Sequence, residues 1–235
     1  MKEIKFDFKG HNAVIIVPDS PAEGRPWIWR TEFLYAFNQA DMALVEAGYH
    51  EAYCQFCDEY GSNEATALFK EFHDFVVSEY ELAHKASLFG FSRGALYAIN
   101  YALGYPDDVS SLYLDAPVID LRSWPGGFWK GVGSPAEWED CKNRVLGIIS
   151  DDETDNLPVN PIHRLDELAD TGIPVLLIAG GSDKHVPYEE NGLHLEKTYT
   201  EKGKDITVII KPECEHHPHS LDNVAPIVKF VTERA

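Results

Sequence analysis

The sequence has few cysteines and few basic residues for its length. Four cysteines in 235 residues are too few for a disulfide scaffold, so we expect a protein of a reducing compartment, the cytoplasm. Lys and Arg number 20 against 39 Asp and Glu, which gives a formal net charge of -19. Because a field of this sign repels nucleic acids and anionic membranes, we predict neither as a partner.

Long apolar runs, internal repeats and low-complexity segments are also missing. No run approaches the ~20 apolar residues that a membrane span needs. The segment Met1 to Phe8 alternates charged and apolar residues, as an edge strand does, and lacks the apolar stretch of a signal peptide. The 44% hydrophobic content is ordinary for a globular protein. We expect one large α/β domain over residues 1–235, and the oligomeric state stays open.

The most informative feature is a Gly-Phe-Ser-Arg-Gly sequence at residues 90–94, between an apolar strand and an amphipathic helix. In a Gly-x-Ser-x-Gly elbow the serine occupies a cramped turn, and the glycines let neighbouring backbone approach closely. The helix directs its positive amino end at the same place. We therefore predict that Ser92 is a nucleophile.

A serine nucleophile needs an acid and then a histidine, each after a later strand. Residues 173–179 form a continuous apolar run typical of a buried strand, and Asp183 follows it. Residues 205–211 predict the last strand, which is followed by the candidate base, a histidine of residues 216–219. Cys214 and these histidines do not have the spacing of a zinc site, so we predict no metal and no cofactor.

With these three strand ends in order, the chain resembles the α/β-hydrolase superfamily over nearly its whole length. The similarity implies an α/β-hydrolase fold, a mostly parallel sheet with helices on both faces. Members close the histidine loop with a motif similar to Gly-His-x-Pro. This motif aligns with residues 215–218 and indicates His216 as the base. Glu215 stands where glycine is common, and His217 therefore remains the alternative base. Asp115 is the alternative acid, because some members take it from the preceding strand.

Narrower similarities link the segments 24–30, 114–118 with 123–127, and 216–221 to bacterial hydrolases of this superfamily whose substrates are mostly unassigned. They support the fold more than the substrate. The elbow places the backbone N–H of Arg93 in the oxyanion hole. The second donor is expected between Pro18 and Trp27, where the family's frequent His-Gly is absent.

Strands alternate with helices along the chain, which indicates a parallel sheet with sites at the carboxyl ends of its strands. We predict a helix from Glu32 to Glu46 directly after the tryptophan-rich segment. The stretch rich in Gly, Pro and Trp at residues 120–165 is too long for a simple connection and predicts a small cap insertion.

All five tryptophans fall in the segment after the second strand and in the expected cap. We predict that Trp27, Trp29 and Trp124 form an aromatic wall near Ser92. Arg30 and Arg122, beside these tryptophans, are candidates for binding a substrate carboxylate, although arginines at such positions also brace loops.

These residues predict a serine hydrolase that cleaves a carboxylic ester, with an acetyl or small acyl group on a carbohydrate or aromatic compound. A peptidase for small peptides would use the same three residues, Ser92, Asp183 and His216. A hydrolase fold that only binds its partner is the third possibility. For the ester hydrolase, the expected partner is a small-molecule ester.

Overall fold

The computed structural model describes residues 1–148 and 150–234. Eight strands form one sheet: β1 (Lys2–Phe8), β2 (His11–Val17), β3 (Trp27–Arg30), β4 (His50–Cys54), β5 (Ala86–Phe91), β6 (Val109–Asp115), β7 (Val175–Gly180) and β8 (Ile206–Lys211). The described helices are α1 (Gln39–Glu46), α2 (Asn63–Tyr80), α3 (Gly94–Gly104), α4 (Pro135–Cys141), α5 (Leu165–Asp170), α6 (Gly192–Glu201) and α7 (Ala225–Thr232).

The sheet has the order β1-β2-β4-β3-β5-β6-β7-β8. β2 is antiparallel to both of its neighbours, whereas the pairs from β4 to β8 are all parallel. A mostly parallel sheet needs helices on both faces, because its strands are buried on both sides. The α/β-hydrolase fold predicted from the sequence is confirmed.

Helices cover both faces of this sheet. α1 contacts α7 on one face, where the buried cluster includes Ile28, Phe89 and Tyr113. On the other face α3 contacts α2 and α5, over a larger cluster that includes Leu88 and Leu112. Neighbouring residues of one strand thus enter opposite clusters, as the two-residue period of a strand requires. None of the helices in the described ranges is both long and apolar enough to cross a membrane.

The segment at residues 27–30 corrects a prediction made from the sequence. It forms β3, between β4 and β5. Trp27 and Trp29 point to the same face of the sheet, are 1% and 0% exposed, and stack on each other with ring centroids 5.6 Å apart. Trp29 also stacks on Phe69 of α2 at 4.7 Å. Both indoles therefore belong to the core, and the prediction that they bind substrate is wrong.

Arg30 is likewise a core residue. Its side chain is fully buried, and its Nε and Nη2 donate to the two carboxylate oxygens of Asp41 at 2.9 and 2.8 Å. The guanidinium carbon lies 3.8 Å from the centroid of the Phe91 ring. Because the side chain is fully buried and Asp41 holds two of its three guanidinium nitrogens, Arg30 does not bind a substrate carboxylate.

The additional strand also moves the loop that was expected to supply the second oxyanion donor. Because β2 runs against the parallel strands, the chain after Val17 emerges at their amino ends. There Ala22 N–H bonds to Gly48 O, just before β4 begins. The loop that meets the elbow is instead the one after β3, at residues 31–38, and the helix predicted from Glu32 begins only at Gln39.

The register of the parallel strands brings their last residues together. Phe91 pairs with Asp115, Asp115 with Ile178, and Gly180 with Lys211. Every loop that carries a candidate catalytic side chain therefore leaves the same edge of the sheet.

Candidate active site

Ser92 occupies a strained turn between β5 and α3. Its φ is 49°, in the left-handed region that residues with a side chain rarely adopt. The neighbouring glycines make this turn possible. A Cβ on Gly90 would lie 2.8 Å from Cα of Ala95, and one on Gly94 would lie 3.1 Å from Oγ1 of Thr31. The strand thus meets the helix at close range with Ser92 at the tip, as the elbow predicts.

His216 lies on the loop after β8 and contacts both of its predicted partners. Its Nε2 is 3.0 Å from Ser92 Oγ, and its Nδ1 is 2.7 Å from Asp183 Oδ2. The loop lies directly over Gly180, where a Cβ would come within 2.6 Å of Cys214 O. The structure therefore brings a hydroxyl, an imidazole and a carboxylate into one hydrogen-bonded chain.

The Asp183 carboxylate is held from both sides. Its second oxygen accepts the backbone N–H groups of His185 and Val186 at 2.8 and 2.9 Å. Burial raises the pKa of the carboxyl, but the hydrogen bonds from His216 and from the two N–H groups outweigh it. The pKa therefore lies below its ordinary value, and Asp183 is ionised at neutral pH.

Asp115, the alternative acid, holds a different histidine. Its Oδ1 is 2.7 Å from His219 Nδ1, and its Oδ2 accepts the Tyr113 hydroxyl and the Ser220 N–H, both at 2.8 Å. Asp115 and His219 are both buried. Its carboxylate is therefore committed to the base of the histidine loop.

His217, the alternative base, is exposed and stacks on Phe37 with ring centroids 5.6 Å apart. Among the described residues no hydrogen bond joins it to Ser92 or to either carboxylate. Burial of its ring and the neighbouring His219 and His216 lower its pKa. The geometry thus assigns His216, and not His217, to Ser92.

An ion pair joins the elbow to the loop after β3. Arg93 Nε donates to both oxygens of Glu32, at 2.9 and 3.0 Å, and its Nη2 lies 2.7 Å from Oε1. The Glu32 side chain is 3% exposed. Burial raises the pKa of Glu32 to about 7, because desolvation exceeds the attraction of the Arg93 guanidinium.

The same loop runs beside the elbow. A Cβ on Gly94 would lie 3.3 Å from Glu32 Cβ and 3.6 Å from Glu32 N. Phe33 adopts a φ of 57°, which turns the backbone sharply at this point. The backbone of the loop after β3 therefore passes beside Gly94, the last residue of the elbow.

The remaining candidates lie in the segment between β6 and β7. Trp124 is half-buried, with its ring centroid 6.4 Å from that of Tyr60. Arg122 pairs with Asp120, its Nη2 2.8 Å from Oδ2, and its guanidinium lies over the exposed Trp129. Arg122 thus braces this segment, and the prediction that it binds a substrate carboxylate loses its support.

A cavity of about 620 Å³ opens beside the elbow. Its lining includes Arg93 of the elbow, Glu32 and Phe33 of the loop after β3, and residues of β1, β2 and β4, whereas none of the side chains of Ser92, Asp183 and His216 lines it. Its lining combines apolar side chains with the Lys5 ammonium, the Cys57 thiol and the hydroxyls and amides of four residues: Asn12, Tyr35, Tyr53 and Gln55. Its size suits a small organic molecule.

Residues 36–202 match the Esterase family, described as "Putative esterase". The chain belongs to the Esterase family. It is thus a hydrolase of the α/β-hydrolase superfamily, as the sequence motifs predicted. No curated protein matches the sequence.

Solved structures support the fold. Est1E from Butyrivibrio proteoclasticus is 17% identical with a TM-score of 0.64, over 98% of this chain and 96% of that one. An acylaminoacyl peptidase of Pyrococcus horikoshii is 15% identical with a TM-score of 0.66, over 92% of this chain and 37% of that one. Dipeptidyl peptidase 4 of Porphyromonas gingivalis is 12% identical with a TM-score of 0.72, over 100% and 35%. The chain thus spans little more than a third of the two peptidases.

Sequence reasoning missed two residues that shape this site, Glu32 and His219. Glu32 was assigned to a helix, because the four residues of β3 are too short to give a clear strand period. His219 was missed because the sequence does not distinguish it from the neighbouring His216 and His217. Only the position of Asp115 at the end of β6 indicated that a second carboxylate would face this loop.

Proposed function

We propose that this protein is a serine carboxylesterase in which Ser92, His216 and Asp183 form the catalytic triad. The observation that carries the proposal is the hydrogen-bonded chain from Ser92 Oγ through His216 to Asp183, with distances of 3.0 and 2.7 Å. Membership of the Esterase family supports the same class of reaction.

The chemistry follows from what each group does at neutral pH. His216 Nε2 takes the proton of Ser92 as the oxygen attacks the ester carbonyl, and later returns it to the leaving alcohol. Asp183 accepts the Nδ1–H, which fixes the tautomer and stabilises the imidazolium. The acyl group rests on Ser92 until water, activated by the same imidazole, removes it as a carboxylic acid.

The oxyanion of each tetrahedral intermediate requires two donors. We assign the backbone N–H of Arg93 as the first and an N–H of the Glu32–Phe33 segment as the second. The ion pair between Glu32 and Arg93 joins the two backbone segments that carry these donors. Removal of one such donor costs about 3 kcal/mol of transition-state stabilisation in serine hydrolases.

The charges near the elbow favour an uncharged ester. Three carboxylates lie within 4 Å of the Arg93 guanidinium, those of Glu32, Asp58 and Glu137. Because the Arg93 guanidinium faces three acids, a substrate carboxylate finds no free positive partner at this residue. Lys5, the other cation that lines the cavity, is paired with Glu3 at 2.9 Å. We propose a neutral substrate, an acetyl or small acyl ester of a carbohydrate or aromatic alcohol, held in the cavity beside Arg93.

We also propose that residues 120–165 act as a small cap on a single α/β domain. Contacts with the rim support this role: Glu137 lies 3.9 Å from Arg93, and Tyr60 donates to Asp140 at 3.4 Å. Trp124 of this segment, packed near Tyr60, remains our candidate for a substrate-facing aromatic side chain.

A peptidase acting on small peptides is the second candidate. The acidic groups around Arg93 would also attract the ammonium group of a peptide N-terminus. Two of the similar structures are peptidases by name.

Turnover of 4-nitrophenyl acetate and alanine 4-nitroanilide separates the two functions. The esterase proposal predicts a kcat/KM for the ester at least 100-fold above that for the anilide, and no ester turnover above background in Ser92→Ala. A preference for the anilide would establish the peptidase instead. Activity retained in Ser92→Ala would reject Ser92 as the nucleophile of either reaction. Absence of both activities in the folded wild type would reject both enzymes and would leave the binding module.

A further inference from the structure

Three imidazoles converge on the loop after β8. One ring nitrogen of each of His216, His217 and His219 lies within 4.8 Å of the others. The ring centroids are 4.8 to 5.0 Å apart, and each pair of rings meets edge to face. Ring nitrogens in such an arrangement are the preferred ligands of borderline divalent metal ions.

Two of these rings are oriented as metal-binding histidines are. In both His216 and His219, Nδ1 lies 2.7 Å from a carboxylate oxygen of a buried aspartate, Asp183 and Asp115 respectively. A carboxylate at Nδ1 fixes the proton there and leaves the lone pair on Nε2. Asp115 is itself fixed by the Tyr113 hydroxyl and the Ser220 N–H.

The third ring, that of His217, faces solvent, so a metal ion can reach the cluster from this side. His217 is exposed, whereas His216 is half-buried and His219 is buried. The acidic surface of the protein, with its net charge of -19, raises the local concentration of cations.

We propose that His216, His217 and His219 bind Zn²⁺ and that the bound ion inhibits the enzyme. The inhibition rests on the proposed function, because Nε2 of His216 has one lone pair. In the free enzyme this lone pair accepts the hydrogen bond of Ser92, at 3.0 Å. When the ion occupies it, the base can no longer take the serine proton. Three imidazoles and one water complete the tetrahedral set that Zn²⁺ prefers.

Calorimetric titration with Zn²⁺ tests the site without any reference to activity. We expect one ion per chain, an affinity at least tenfold weaker in His217→Asn, and no change in His163→Asn, which removes an exposed histidine outside the cluster. Mg²⁺ should not bind, since it prefers oxygen ligands. Circular dichroism establishes that both variants are folded. Equal affinity of His217→Asn and the wild type would overturn the proposed site.

Inhibition of 4-nitrophenyl acetate hydrolysis tests the link to catalysis. Each protein's activity is compared with its own metal-free value. Saturating Zn²⁺ should remove at least 90% of the activity of the wild type and of His163→Asn, and EDTA should restore it. At the same concentration His217→Asn should keep most of its own activity. Full turnover by a wild-type enzyme saturated with Zn²⁺ would reject the inhibition. A failure of the esterase proposal would instead show as absent turnover before any metal is added.

Discussion

At the residue scale, the rim of the sheet presents two aspartates that hold two different histidines. Asp183 pairs with His216, which reaches Ser92, whereas Asp115 pairs with the buried His219. The sequence predicted Ser92, Asp183 and His216 because each follows a recognisable strand. It left Asp115 and His217 as alternatives, since the choice depends on the direction of side chains within a loop of a few residues.

Replacement of the two aspartates should separate their roles. In Asp183→Asn the imidazole loses its fixed tautomer, and kcat should fall by about 10³ to 10⁴. In Asp115→Asn the hydrogen bond between Asp183 and His216 is unchanged, and kcat should fall less than about tenfold. Steady-state kinetics on folded variants measures both. A greater loss in Asp115→Asn than in Asp183→Asn would reverse the assignment of the acid.

The buried Glu32 carboxyl should make stability depend on pH. Its pKa is about 7 in the folded protein against an ordinary 4.5. Because the folded state holds the proton more tightly, this group stabilises the fold fully below pH 4.5, and the contribution is lost as pH rises to 7. The shift corresponds to about 3 kcal/mol.

Urea unfolding of the wild type and Glu32→Gln across this pH range checks the prediction. The stability of the wild type relative to the variant should decrease as pH rises, since the glutamine does not titrate. A difference that stays constant from pH 4.5 to 7, or that increases, would show that Glu32 does not carry the raised pKa.

At the element scale, the site depends on loops that cross the sheet edge at very short range. The chain after β8 passes over Gly180 so closely that no side chain fits between them. The strands β5, β7 and β8 were predictable because their apolar runs are continuous. β3 was not predictable from the sequence, because a segment of four residues with two large indoles also fits a surface loop. Only the pairing of β3 with β4 and β5 buries these indoles.

Gly180→Ala should therefore affect catalysis from outside the triad. Its Cβ would come within 2.6 Å of Cys214 O, so the histidine loop must move. We expect kcat/KM to fall about 100-fold, because a displacement near 1 Å is enough to misalign a catalytic base. Gly104→Ala is the matched control, since its Cβ meets only Thr66 Cγ2 at 3.5 Å. Equal activity of the two variants would contradict this role of the loop.

At the scale of the whole molecule, strand order gathers residues distant in sequence at one edge of a protein with a net charge of -19. The alternation of strands and helices was sufficient to predict this architecture. The position of the loop at residues 18–26 was not predictable. Without β3 this loop is expected at the carboxyl ends of the parallel strands, whereas it lies at their amino ends. The net charge could be read from the sequence. The approach of three carboxylates to Arg93 could not, because Glu32, Asp58 and Glu137 are distant in sequence.

Those charges should discriminate between neutral and anionic esters. We expect kcat/KM for 4-nitrophenyl acetate to exceed that for the 4-nitrophenyl monoester of succinate by about tenfold at low ionic strength. The difference should narrow as salt screens the acidic field. Initial rates at low and high sodium chloride measure it. Faster turnover of the anionic ester would indicate a cationic subsite that this account lacks.

The most direct test of the triad is the site at which a phosphylating ester reacts. Treatment with diethyl 4-nitrophenyl phosphate and peptide mass spectrometry should find one diethylphosphoryl group on Ser92, with esterase activity lost in proportion. Ser92→Ala should acquire none. Activity lost through modification of another residue, with Ser92 unmodified, would contradict the assignment of Ser92 as the nucleophile.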